Sequence, residues 1–283
     1  MISRTLMENP LNPSLLTRPI ELYVFIDPTC SECWRLQPVL RKLQVAYEKY
    51  FTLRVILRTS LPTMNLPCTS NDNSYETCEK SHPSFPAIAI KAAEFQGKRA
   101  GQRFISKLFE YSYLKSRNVT SFSVLVEIAE LLHLDVNEFI RDFTSRNVHR
   151  SLQIDLFMSQ EMEVEHAPTF VFFNSNIEDE GLKVSGIYDF DVYVQILEEL
   201  IGQAIIPDSP PPLENLFSRY DTLTTMEIAN IYGITEKSAE RELKKRLLQQ
   251  DVERMAFNDT TLWRKNVINK KSCRSKIDGS FLY

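Results

Sequence analysis

Apolar and polar positions along this chain alternate between two rhythms. Residues 20–27 (IELYVFID) form a run of β-branched and aromatic side chains bounded by proline, which predicts a buried strand. Residues 31–50 instead place Trp34, Leu36, Val39, Leu40, Leu43, Ala46 and Tyr47 at three- and four-residue intervals. That spacing predicts a helix, with Pro38 as a kink. Residues 52–58 (TLRVILR) return to the strand pattern. A strand, a helix and a strand in this order predict a βαβ unit with parallel strands.

The pattern lapses over 60–82, where Pro62, Pro67, Asn71, Asp72 and Asn73 mark a loop. From about 84 to 163 the helical rhythm dominates and predicts four or five helices, with Ser121 and Asp135 as helix starts. Strand signals resume at 169–173 (TFVFF) directly after Pro168, then at 182–187 beyond a polar turn. A helix follows over 189–202, opened by Asp189 and closed by Gly202. The aromatic residues Tyr23, Phe25, Phe170, Phe172 and Phe173 read as core.

Residues 206–212 (IPDSPPP) hold four prolines and predict a semi-rigid linker. Beyond it come short helices at 213–220 and 224–232, a break at Gly233, a helix over 235–249, and a ribbon over 252–264 turning at Asn258–Asp259. That order predicts a small winged-helix-like α+β domain over 213–265. The expected organisation is an extended N-terminal arm (1–18), an α/β domain over 19–205 interrupted by the helical block, the linker, the small domain, and a basic flexible tail (266–283).

Composition narrows the function classes. Hydrophobic residues make up 43% and charged residues 25% of the 283, which excludes wholesale disorder. No apolar stretch approaches the length of a membrane span, and the opening residues lack the apolar core of a signal peptide, so a cytosolic protein is expected. The net charge of −4 divides unevenly: 20 Lys+Arg against 27 Asp+Glu over 1–212 gives −7, and 13 against 10 over 213–283 gives +3. In the helix over 235–249, Lys237, Arg241, Lys244, Lys245 and Arg246 alternate with Glu236, Glu240 and Glu242, a pattern of surface ion pairs rather than a phosphate-binding face. Neither nucleic acid nor a membrane is an expected partner, and no cofactor is expected.

The five cysteines are Cys30, Cys33, Cys68, Cys78 and Cys273. Cys30 and Cys33 form a C-x-x-C where the first strand gives way to a helix. A helix start presents unpaired N–H groups that favour a thiolate, and three residues along a helix is within disulfide reach. Cys30 and Cys33 are therefore the candidate redox pair. Cys68, Cys78 and His82 are weak zinc-ligand candidates, because their spacing matches no usual zinc pattern; stress-exposed loop thiols are the plainer reading. His133 and His149 read as structural, and His166 falls two residues before Pro168.

The chain resembles a thioredoxin-like fold with the helical insertion of the DsbA superfamily. AIAIKAAEFQGKRAGQRFISKLFE and AELLHLDVNEFIRDF resemble that insertion, and APTFVFFN resembles the segment carrying the fold's cis-proline, here Pro168. CSECW, the helix after it and the C-terminal extension resemble the YjbH/SpxH-type adaptor family. That resemblance covers the chain from about Pro19 to beyond Trp263. It implies a cytosolic adaptor that binds the transcription factor Spx and promotes its degradation by the ClpXP protease, with ClpX itself a further partner. It makes Thr29, Trp34, Ala167, Pro168 and Thr169 candidate partner-binding residues.

Two features separate the chain from an efficient oxidoreductase. Thioredoxin-like enzymes carry a buried carboxylate six residues before the first cysteine, where this chain has Val24. Glu32, between the cysteines, places a negative charge beside Cys30 that opposes a thiolate. Binding without thiol turnover is the expected mode of action. A dithiol–disulfide oxidoreductase, a thiol or metal stress sensor and a DNA-binding regulator are the alternatives.

Overall fold

The computed structural model of the protein describes residues 20–59, 81–173, 181–257 and 260–266. The expected arm over 1–18, the loop thiols Cys68 and Cys78, the turns at 174–180 and at Asn258–Asp259, and the tail beyond 266 with Cys273 lie outside those residues.

Strand β1 (Ile20–Ile26), helix α1 (Ser31–Tyr47) and strand β2 (Phe51–Leu57) form the βαβ unit. β1 pairs in parallel with β2, Ile20 opposite Phe51. On its other side β1 pairs antiparallel with β3 (Thr169–Phe173), which pairs antiparallel with the edge strand β4 (Leu182–Ser185). The sheet order is β2-β1-β3-β4. Successive side chains of a strand point to opposite faces, and both faces are used. Leu22, Val24, Ile26, Phe170 and Phe172 join the main core with α1 and with α7 (Phe190–Ile201). Tyr23, Phe25, Ile56 and Val171 form a smaller cluster on the opposite face. This is a thioredoxin-like sheet, and α1 continues through Pro38 as one helix.

Between β2 and β3 lie α2 (Phe85–Phe95), α3 (Lys98–Phe109), α4 (Phe122–Leu131), α5 (Val136–Phe143) and α6 (Arg146–Glu161). Met158 and Met162, at the end of α6, cover the smaller sheet cluster. The side chain of Asp135 accepts from Glu138 N at 2.9 Å and caps α5. α2 is buried on nearly every side, so its Lys91 is enclosed and pairs with Asp155 of α6 at 2.6 Å and Glu94 at 2.9 Å. Asp155 also accepts from Leu57 N, tying the insertion to β2. The sequence pattern predicts one helix over the segment RFISKLFEYSYL. Instead α3 gives way at Glu110 to a π-helical turn, Glu110–Leu114.

The C-terminal part consists of α8 (Leu213–Arg219), β5 (Leu223–Thr224), α9 (Thr225–Tyr232), α10 (Glu236–Leu248), β6 (Val252–Phe257) and β7 (Thr260–Lys265). Its sheet order is β5-β7-β6, around a separate core that includes the fully buried Trp263. Helix, strand, two helices and a hairpin in this arrangement resemble a winged helix. The two-residue β5 is too short to leave a period in the sequence. A reciprocal capping box of Thr224 and Glu227 starts α9, and Gly233 ends it at φ +64. Along α10, Lys244 pairs with Glu240, and Lys245 and Arg246 pair with Glu242, as the sequence spacing implies.

The proline-rich segment is not a free spacer. Asp208 N donates to Ala46 O, the Asp208 carboxylate pairs with Lys49, and the Tyr50 hydroxyl bonds both the N–H and the carbonyl of Ile206. Tyr232 from α9 donates to Pro211 O at 2.6 Å. Residues on both sides of the segment thus bond to its backbone. The two cores also meet directly. Arg41 of α1 enters a buried site where it donates to Glu227 (2.9 Å) and to Thr222 O (3.1 Å) and lies over the Tyr220 ring. Arg103 of α3 makes a two-pronged pair with Asp221, and Arg219 does the same with Glu48.

Candidate functional site

Cys30 is the cap residue of α1, so the first helical N–H groups open beside it. The loop that delivers it is braced locally. Asp27 O accepts from Cys30 N (3.1 Å), and the Asp27 carboxylate accepts from both the N–H and the hydroxyl of Thr29 (2.8 and 2.7 Å). This Asx turn fixes the approach to the helix.

The two thiols differ in their surroundings. Cys30 is partly exposed, and its sulfur lies 3.5 Å from Ala167 O. The Ala167–Pro168 bond is cis. Cys33 is fully buried, and its sulfur accepts from Asp27 N at 3.4 Å. Burial pushes the Cys33 thiol far above its ordinary range, the Asp27 N–H offsetting part of the shift. The arrangement suits Cys30 as the attacking or receiving thiol and Cys33 as a protected partner behind it.

An aromatic wall flanks Cys30. Trp34, one turn along α1, stacks on Tyr113 with centroids 6.2 Å apart and planes 16° apart, and lies beside Phe109. Tyr113 belongs to the π-helical turn, and its hydroxyl donates to Thr29 O at 2.6 Å. Burial, followed by the neighbouring Cys30, Cys33 and Asp27, pushes the Tyr113 phenol up to about 12. Asp27, Phe109 and Tyr113 were not among the residues singled out from sequence. The aromatic pair closing EYSYL was a weak local signal, but only the fold brings it to the thiols.

Of the residues singled out as partner-facing, Thr29 is exposed and Trp34 and Ala167 are partly exposed. Pro168 and Thr169 are buried, and the Thr169 hydroxyl is occupied by His166 O and Ser185 Oγ. Their side chains are turned away from solvent, while Ala167 O faces the Cys30 sulfur. His166 is exposed. His82 is engaged at the start of α2, where its Nδ1 meets Ser84 Oγ (2.7 Å) and accepts from Ser84 N. Among the described residues no group of three or more His, Cys, Asp or Glu side chains could hold a metal ion. Among them, no helix is long and apolar enough to cross a membrane.

Val24 occupies the place of the buried carboxylate of thioredoxin-like enzymes. It is fully buried in the main core, opposite Val55 and Phe170. The Asp27 carboxylate is engaged in its own turn.

Comparison with known proteins agrees with this architecture. Residues 23–195 match the Thioredoxin family. A solved chain from Nitrosomonas europaea, provisionally described as a protein disulfide isomerase, aligns over 65% of this chain and 97% of its own at a TM-score of 0.51 and 15% identity, a likeness of fold. Relatives from Shouchella clausii and Bacillus subtilis, both named ClpXP adapter protein SpxH, are 39% and 36% identical over 267 residues. In each case the match spans 87% of this chain and 89% of the relative. The thiol motif and the aromatic wall therefore sit on a thioredoxin-like scaffold, and the chain belongs to the family of the ClpXP adapter protein SpxH.

Proposed function

We propose that the protein is a cytoplasmic adaptor that binds the transcription factor Spx and promotes its degradation by the ClpXP protease. The observation that carries this reading is the identity of 36–39%, across nearly the full length, to relatives named as ClpXP adapters. In this reading the thioredoxin-like domain (19–205) receives the substrate and the winged-helix-like domain (213–265) buttresses it, with 206–212 joining them. Binding alone suffices, because an adaptor acts by raising the effective concentration of substrate at the protease. Val24 supports a mode of action without turnover, since its apolar side chain offers no group to assist proton transfer at the thiols. Thr29, Trp34 and Ala167 form the accessible part of the proposed contact surface.

The test is reconstituted degradation of Spx by ClpXP with Cys30→Ser plus Cys33→Ser protein. The expected result is degradation at the wild-type rate. Loss of degradation with the fold intact overturns binding without thiol chemistry. Failure of the wild-type protein to stimulate degradation overturns the adaptor role itself.

The partly exposed Cys30, with the buried Cys33 one turn along α1, favours a second reading, thiol–disulfide exchange. That reading expects rapid, Cys30-dependent reduction of a model disulfide protein.

A further inference from the structure

Two structural elements leave the thiol site and end on the same segment of the C-terminal part. The first is α1. It begins at Cys30 and, three turns later, delivers Arg41 to Glu227 and Thr222 O, then Gln44 to the Tyr220 hydroxyl. The second is the π-helical turn. Its Tyr113 holds Thr29 O next to Cys30 and stacks on Trp34. Its first residue, Glu110, is 2% exposed, pairs with Lys107 and Lys115, and accepts from the Thr222 hydroxyl at 3.1 Å. Thr222 is therefore gripped through its carbonyl by one element and through its hydroxyl by the other. A π turn inserted in a helical segment is a common mark of a functional position.

We propose that the C-terminal part reads the redox state of the Cys30–Cys33 pair, with Tyr113 and the turn Glu110–Leu114 as the link. The proposal does not depend on the adaptor reading. In the dithiol form the Cys30 sulfur is directed at Ala167 O and the Cys33 sulfur takes the Asp27 N–H. A disulfide requires the sulfurs to close to about 2.05 Å. Cys33 is fixed in the core, so Cys30 and the Thr29 carbonyl behind it make the adjustment. Tyr113 is bonded to that carbonyl, and packed elements respond by discrete shifts rather than by smooth deformation. The displacement passes to Glu110 and from there to Thr222. The oxidant is a low-molecular-weight disulfide. Cys30 thiolate attacks it and releases one small thiol; Cys33, losing its proton, then attacks the Cys30 sulfur and releases the second. Two protein thiols become one disulfide while one small disulfide becomes two thiols.

The chain carries its own reporters, because one of its two tryptophans lies at each end of the link. Trp34 is at the thiols, and Trp263 is in the C-terminal core with its Nε1 on Thr225 Oγ1. The experiment uses full-length protein with Cys68→Ser, Cys78→Ser and Cys273→Ser, reduced or treated with excess glutathione disulfide, with pairing confirmed by mass. Amide exchange over 222–232 is expected to speed up about fivefold on oxidation, the low end of ordinary intersite coupling. In an added Trp34→Phe background, Trp263 emission is expected to shift. Tyr113→Phe keeps the ring and loses the hydroxyl, and is expected to abolish both responses while the reduced protein melts close to its parent. Four results overturn the proposal: no response at Trp263 or 222–232 in the oxidised protein, an undiminished response in Tyr113→Phe, the same response in Cys30→Ser plus Cys33→Ser protein, or failure of Cys30 and Cys33 to pair.

Discussion

At its N-terminal end α1 starts among sulfur atoms and aromatic rings. Trp34 packs there against Phe109 and Tyr113, and the Cys30 sulfur faces Ala167 O. Three turns later the same helix presents Arg41 and Gln44 to a buried polar junction in which Arg41 is 5% and Glu227 2% exposed. One end offers an apolar, partly open surface whose inner thiol is suppressed by burial. The other encloses a charge pair at full desolvation and satisfies it with Thr222 O, Thr224 N and the Tyr220 ring. The buried charge pair of α1 thus ties the thioredoxin-like part of the chain to the C-terminal part.

The largest effect expected from breaking this contrast is at the junction. Arg41→Leu leaves Glu227 buried without its guanidinium, and removing one partner of such a pair costs about 3–5 kcal/mol. Urea unfolding should show the midpoint fall, and adding Glu227→Gln should restore part of the loss because the uncompensated charge is gone. A cost below ~1 kcal/mol would make the junction no more demanding than a surface pair.

At the other end of the helix the expected effect is chemical. Raising a thiol's pKa lowers its thiolate fraction at any fixed pH below that value, by a factor of ten per unit. With Cys33 raised and enclosed by burial, its alkylation by iodoacetamide at pH 8 is expected to be much slower than that of the partly exposed Cys30. Mass-resolved labelling of the native protein measures both rates. Equal rates would contradict the asymmetry of the pair.

The smallest effect is expected where the junction reaches solvent. Arg219 and Glu48 are 35% and 63% exposed, so Arg219→Ala should lower stability by only about 0.2–1 kcal/mol, and less at high salt. A loss matching that of Arg41→Leu would place the strength of the junction at its rim.

Much of this molecule was legible one segment at a time. The run IELYVFID and the strand TFVFF fall where the alternating and apolar patterns place them, and CSEC opens a helix directly after β1. The break at Gly233 and the helix start at Asp135 are likewise local, because each depends on one residue's backbone or one short side chain. What stayed hidden has a common cause. β5 is two residues long and carries no period. The turn Glu110–Leu114 follows a helical pattern in sequence, and its partners, Thr222 for Glu110 and Thr29 for Tyr113, lie far away in the chain. IPDSPPP has the composition of a spacer, and its docking depends on Ala46, Lys49 and Tyr50, far away in the chain.

The sequence by itself determined the strand–helix order, the apolar faces of the sheet, the position of Cys30 and Cys33 at a helix start, and the kinship of the chain. These follow from periodicity and from short motifs, which act over a few residues. Only the tertiary structure decided that Arg41 meets Glu227 across 186 residues, that Tyr113 meets Thr29 across 84, and that Thr169 turns inward while Thr29 faces out. A buried polar group must find a partner wherever packing places one, and no local pattern records where that is.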